Sequence, residues 1–379
     1  MAASSKFVVT GYVAVNSCKL PKFAFVGCLA APVSLDPTEL EIACHHERHW
    51  LHRGHIPLFV AAAYGRSRLS WKRVPARSLL TLIANNSGKS WLRSQQQVDQ
   101  VDWRPLTGVE PRRMVEARLQ SHYATQWLAR IARAYIPPQS DDGHTSLLWN
   151  RALDALMTQP LRAGLRFGLR IPDLVIILHD SKSTLEMICL EGHSDLEIRD
   201  WLGRSLSAQG FDARALDAPL PYQLPAYAIA KGAKYDAVRS QTQALAELAA
   251  WFANSELLLS DLQRQMCERG FAASPVRCWP HHFDIATLTT LPNRNPAGYV
   301  GAGLSPGDEH YEGPYFYVSV YPQPSATLLP KLPSGGHWHT REFAAAVLPW
   351  DKVLRAYDQK ASAIDFLHSA LAAAHKILA

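Results

Sequence analysis

Residues 165–190 read LRFGLRIPDLVIILHDSKSTLEMICL, and three strands can be read from them. Leu165, Phe167 and Leu169 alternate with Arg166, Gly168 and Arg170, the period of two expected of a half-buried strand. Residues 174–178 form an unbroken apolar run, residues 180–183 supply a turn, and residues 184–190 predict the next strand.

Upstream of this stretch, Val115, Leu119, Tyr123, Trp127, Ile131 and Tyr135 recur every four residues. That spacing predicts an amphipathic helix of roughly six turns, stopped by Pro137-Pro138. A polar turn at 140–144 leads into a predicted shorter helix near 146–157. Downstream, Ser194-Asp195-Leu196-Glu197 is a capping box opening a helix that ends by Gly210. A proline-rich crossing at 219–225 precedes the longest predicted helix, 236–269, whose apolar stripe includes Leu245, Leu248, Trp251, Phe252, Leu258 and Leu262. Strands are predicted near 283–291, 299–304 and 315–321, and a final helix over 362–378. Two β sections separated by a long helix, with no βαβ alternation, predict an α+β fold: a mainly antiparallel sheet packed by long amphipathic helices, as one domain over 105–379.

The composition is that of a folded chain. Of 379 residues, 47% are hydrophobic and 19% charged, which excludes a disordered chain or a disulfide-dense miniprotein. No apolar run is long enough to span a bilayer, so no membrane partner is expected. The net charge of +6 belongs entirely to the start of the chain: residues 1–85 hold ten Lys and Arg against Asp36, Glu39, Glu41 and Glu47, and the remainder is neutral. Arg66, Arg68, Lys72, Arg73 and Arg77 form a short basic run, but a nucleic-acid surface needs such charges on one face of a folded element, so nucleic acid is not the expected partner. Residues 1–90 are expected to be a basic, poorly structured extension, because their apolar runs lack a sustained period and cap-like ends. Six cysteines without a C-x-x-C give neither a disulfide framework nor a zinc ribbon, and a reducing, cytoplasmic location is expected.

Three motifs fail on their spacing or context. Ser87-Gly88-Lys89-Ser90 lacks the glycine that a phosphate loop needs at position 83, which is Ile83. Gly301-Ala302-Gly303 lacks the third glycine of a dinucleotide fingerprint, Pro306 standing there instead. His45, His49 and His52 would share a helical face as a metal surface, but they lie inside the expected extension.

Polar and histidine residues concentrate between 278 and 342. In extended chain His282 and Asp284 project together, with Phe283 and Ile285 on the other side, and His337 and His339 likewise share a face. An H-x-D pair beside an H-x-H pair offers nitrogen and oxygen ligands to a divalent zinc, iron or manganese ion, which would activate water or polarise a substrate oxygen. Asp308 and His310 are then the candidate acid–base groups, with Glu312 also at hand. The expectation is a metal-assisted hydrolase or oxygenase acting on a small-molecule ligand; the rival is a non-enzymatic module that binds a small ligand or a protein.

The series Ser274-Pro275-Val276, Trp279-Pro280, Phe283-Asp284, then Gly303-Leu304-Ser305-Pro306-Gly307-Asp308, Pro314-Tyr315-Phe316-Tyr317-Val318, Gly336-His337-Trp338-His339 and Leu348-Pro349-Trp350 resembles a bacterial family of unknown function. The helix ending at Pro137-Pro138, the 219–225 crossing and the long helix from Asp236 fit its layout, so the resemblance covers about 105–379. It implies a domain boundary and brings no activity with it.

Overall fold

A computed structural model describes residues 103–291, 298–324 and 329–378, together with four strands nearer the N-terminus. The chain divides into two units, Met1–Gln100 and Val101–Ala379. In the first, β1 (Val9–Val15) pairs antiparallel with β2 (Lys22–Leu29), and β3 (Phe59–Ala62) with β4 (Ser70–Arg73). The rest of the 1–90 segment, including His45, His49 and His52, lies outside the described residues.

The second unit is α+β, as the sequence predicts. Its first helix, α1 (Pro111–Tyr135), opens with proline in its first turn and ends where Ile136 turns extended before Pro137-Pro138. A five-stranded antiparallel sheet follows in simple meander order: β5 (Leu148–Asn150), β6 (Ala155–Met157), β7 (Arg166–Arg170), β8 (Val175–His179) and β9 (Thr184–Cys189). The helix predicted near 146–157 is therefore the hairpin β5–β6. The Asn150 side chain accepts from the amides of Ala152 and Leu153, and Asp154 takes a positive φ, so local turn chemistry overrides the apolar spacing. The capping box forms: the Glu197 amide donates to Ser194 Oγ, the Ser194 amide donates to the Glu197 carboxylate, and α2 (Asp195–Ala208) starts there.

The long predicted helix is two helices, α3 (Ala237–Ser240) and α4 (Thr242–Glu268), broken at Gln241. Trp251 and Phe252 on α4 are fully buried; Trp251 packs at a tilt against Phe316 and Phe252 stacks on Trp149, which ties α4 to both sheets. The second sheet runs β10 (Ala272–Ala273), β12 (Asp284–Leu291), β13 (Gly298–Ser305), β14 (Tyr315–Tyr321), β16 (Ala345–Pro349) and β15 (His337–His339), with β11 (Arg277–Trp279) also paired to β12. All its pairs are antiparallel. Two helices follow, α5 (Trp350–Arg355) and α6 (Gln359–Leu378), and α6 packs on β13 and β14 beside α4. The sheets meet at Leu147 and Cys278, whose amides and carbonyls bond reciprocally at 2.9 and 2.8 Å.

Alternation in β14 sets the character of each face. Phe316, Val318 and Val320 are buried in the core, while Tyr315, Tyr317 and Ser319 stand on the opposite face. Val347 pairs with both Tyr317 and His337, so the same outer face carries the histidines of β15. Among the described residues no helix is long and apolar enough to cross a membrane.

Candidate functional site

One end of the second sheet gathers the first residue of β12, Asp284, the last of β13, Ser305, and the first of β14, Tyr315. Ser305 pairs with Tyr315, and Tyr315 with Pro349 on β16. The chain enters β12 through a tight turn over 279–283, not through extended strand. Phe283 closes that turn at φ +60° and donates its amide to the Trp279 carbonyl at 2.7 Å. Burial of its ring against His122 and Phe252 holds this left-handed conformation in place. The Pro280 carbonyl in the same turn accepts from His122 Nε2 and Gln126 Nε2 of α1, each at 2.8 Å. Burial lowers the His122 imidazole to about 4, so it stays neutral with its Nε2 proton on that carbonyl. His281 is likewise lowered to about 4, by burial and then by His282.

Asp284 follows this anchored turn. Tyr317 donates its hydroxyl to Asp284 Oδ2 at 2.5 Å, while Oδ1 is shielded from water and has no partner among the described residues. Burial raises the Asp284 carboxyl above the ordinary aspartate range, opposed by the Tyr317 bond and the nearby His282. Burial, reinforced by Asp284, drives the Tyr317 phenol well up, and the fully buried Cys278 thiol is raised by the same two causes. The bond exists because position 303 is glycine. A Cβ there would stand 2.6 Å from Tyr317 Cζ and Oη and 2.8 Å from the Ile285 carbonyl, so the phenol crosses β13 over bare backbone.

Beyond Tyr315 lies a second polar group. Asp308 Oδ1 accepts from the amides of His310 and Tyr311 at 2.8 and 2.9 Å, and Oδ2 accepts from Tyr315 Oη at 2.5 Å. Three donors make Asp308 the hub of the loop. Tyr311 Oη lies 2.9 Å from His337 Nε2 and 3.1 Å from His339 Nδ1, and His339 Nε2 lies 2.8 Å from the Arg341 carbonyl. A carbonyl only accepts, so His339 carries its proton on Nε2. Its Nδ1 then accepts from Tyr311, and Tyr311 accepts from His337 Nε2–H. Burial, with His339 and Lys352 adding to it, lowers the His337 imidazole and favours this neutral arrangement. His310 sits beside the chain, its ring 5.1 Å from that of His339 and its Nε2 3.5 Å from Glu342. Replacing Tyr311 by phenylalanine should free His337 Nε2 and change which ring nitrogen of His337 carries the proton. Imidazole nitrogen shifts followed by NMR across pH check this, and unchanged tautomers would contradict the bridge.

The predicted ligands do not assemble. Asp284 on β12 and the His337–His339 pair on β15 are separated by β13, β14 and β16, four strand spacings or roughly 19 Å. Metal–ligand bonds are about 2 Å. His282 lies exposed in the turn before β12, so the strand alternation expected to align it with Asp284 does not apply. Both nitrogens of His339 are already engaged. Among the described residues no group of three His, Cys, Asp or Glu side chains could hold a metal ion. His144, buried in a short 3-10 turn, accepts the Gln139 amide at 3.2 Å. Three participants were not singled out from sequence for this site: Arg118, His122 and Tyr311. The spacing of Arg118, His122 and Gln126 does put them on one helix row, which was the available signal.

The segments that carry the family resemblance converge here. Trp279-Pro280 and Phe283-Asp284 form the turn, residues 303–308 pass beneath Tyr317 and Arg118, and Trp350 donates its amide to the Pro314 carbonyl at 2.8 Å. No curated protein matches the chain, and no solved structure does. Residues 294–379, the part from the end of β12 through α6, match a family of unknown function (DUF5996).

Proposed function

We propose that the end of the second sheet is an acid–base site for a small polar substrate, with Asp284 as the proton-carrying group and hydrolysis as its reaction class. The observation that carries this reading is the Asp284 carboxyl itself: raised, on a half-buried residue, held on one oxygen by Tyr317 and, among the described residues, without a partner on its shielded other oxygen. Carboxyls kept protonated by burial are the usual proton donors of hydrolytic sites. Tyr317 fixes the orientation of that carboxyl, and Asp308 fixes the loop and Tyr315 beside it. Hydrolysis needs proton transfers, and a carboxyl that holds a proton can supply one. A divalent metal or an oxygenase centre would require the His282, Asp284, His337 and His339 ligands to meet, and the strand order keeps them apart.

The test is a panel of chromogenic carboxylic esters, amides and phosphoesters assayed with the full chain and with Asp284→Asn. Turnover by the wild type that falls with the variant supports the reading. Turnover equal in both overturns it, and binding of panel compounds without turnover moves the assignment to the non-enzymatic ligand-binding module.

A further inference from the structure

Each backbone amide from Arg104 to Gly108 donates to a side chain of a helix. The Arg104 amide donates to Asn254 Oδ1 of α4 at 2.8 Å, and Asn254 Nδ2 donates back to the Arg104 carbonyl at 2.8 Å. Gln359, the first residue of α6, holds Leu106 in the same way, at 3.0 and 2.9 Å. The amides of Thr107 and Gly108 and the Thr107 hydroxyl donate to the Glu247 carboxylate of α4, at 2.7–3.1 Å. Residue 105 is proline, which has no amide to place.

The spacing is that of a peptide laid along a helix. Glu247 and Asn254 stand two turns apart on one face of α4, about 10.5 Å along its axis. Their partners, residues 107–108 and residue 104, are joined by chain that spans roughly 10–13 Å when extended. The segment therefore lies extended and antiparallel to α4. Its start is tied by the Trp103 indole to Gln359 Oε1 at 3.2 Å and by Arg104 to Asp154 at 2.7 Å.

A carboxamide that takes both the N–H and the C=O of one residue reads backbone, whatever the side chain. Asn254 and Glu247 are buried, so these bonds are shielded from water. The side chains of the held segment sink less deeply: Leu106 is buried, Trp103 and Arg104 are half-buried, and Pro105, Thr107 and Gly108 are exposed. Beside the segment the groove stays open, as a cleft of about 640 Å³ lined by Thr107 and Gly108 and by Gln243, Ala246 and Ala250 of α4. We propose that α4 and the start of α6 form a clamp for an extended peptide, and that residues 103–108 are a strap that occupies it in place of a partner. The partner class is a peptide that offers backbone amides and carbonyls at the positions of Arg104 and Leu106, with an apolar side chain at the second. This clamp does not depend on the acid–base reading of Asp284.

The experiment measures fluorescence anisotropy of a labelled peptide with the sequence of residues 103–108, added to the full chain and to variants of it. The wild type is expected to bind weakly, because the tethered strap competes at an effective concentration in roughly the millimolar range. Leu106→Ser removes the buried anchor of the strap and is expected to tighten peptide binding by about tenfold or more. Adding Asn254→Ala and Gln359→Ala to that variant is expected to abolish it. No gain over the wild type in Leu106→Ser, or binding kept after both carboxamides are removed, would overturn the clamp. Should the variants fail to fold, hydrogen exchange of the wild type decides. The amides of Arg104, Leu106, Thr107 and Gly108 must exchange together by local opening, well before the core amides of α4. Exchange only with global unfolding would show a fixed seam and overturn the strap.

Discussion

Phe283→Ala is expected to lower the free energy of unfolding by about 3–5 kcal/mol, the range for deleting a buried aromatic ring. The ring is 1% exposed, stacks at 5.2 Å and 7° on His122, and meets Phe252 at 5.2 Å. It is also what keeps residue 283 at positive φ, a conformation that alanine finds as unfavourable as phenylalanine does. Without the ring the turn over 279–283 loses its inward anchor, and Asp284 loses its fixed approach to Tyr317. Urea unfolding of the wild type and variant reads the loss directly. A change below about 1 kcal/mol would mean that the cavity collapses at little cost and that the turn is held by the His122 and Gln126 bonds to Pro280 instead.

The second large effect is on chemistry. Asp284→Asn keeps the shape of the side chain and removes the exchangeable proton, so turnover should fall about 10²–10⁴-fold, the usual contribution of a general acid or base. Stability should move the other way. A carboxyl whose folded value is raised holds its proton more tightly in the folded chain than in the unfolded one. The unfolded aspartate titrates near about 3.9, so wild-type stability falls as pH rises from there through the folded value and is level above it. The asparagine variant has no such charge to bury. Its unfolding free energy relative to wild type should rise across that window and hold its gain at neutral pH. A variant that is less active and also less stable at neutral pH would point to a structural role for the carboxylate.

The elements read correctly from sequence are those decided by their own residues. The four-residue recurrence through Val115–Tyr135, the alternation in 165–170 and the Ser194/Glu197 box each act within a few positions, and all three appear in the structure. The predicted helix near 146–157 fails because Asn150 turns the chain, a two-residue effect that apolar spacing does not register. The strand β16 was not read, since Ala345, Ala346, Val347 and Leu348 are an apolar run that only its place between β14 and β15 makes a strand.

The site divides in the same way. His337 and His339 do share a face, as period two requires. Their common partner Tyr311 lies 26 and 28 residues away, and nothing local names it. Asp284 is a candidate from sequence through its alternation with His282, an alignment the turn at Phe283 removes; its hydrogen-bond partner is Tyr317 across β13. Arg118 and His122 precede the sheet they serve by more than 150 positions, so their roles rest on packing between α1 and the turn at Pro280.

The most direct test of the Asp284 site is the titration of its carboxyl carbon by NMR in the full chain, with Tyr317→Phe alongside. The burial that defines the site requires the wild-type value to lie above the ordinary aspartate value of about 3.9, and the loss of the Tyr317 bond, which favours the ionised form, to raise it further. A wild-type value at or below the ordinary one would show a carboxylate that is ionised and satisfied, and would contradict the acid–base assignment.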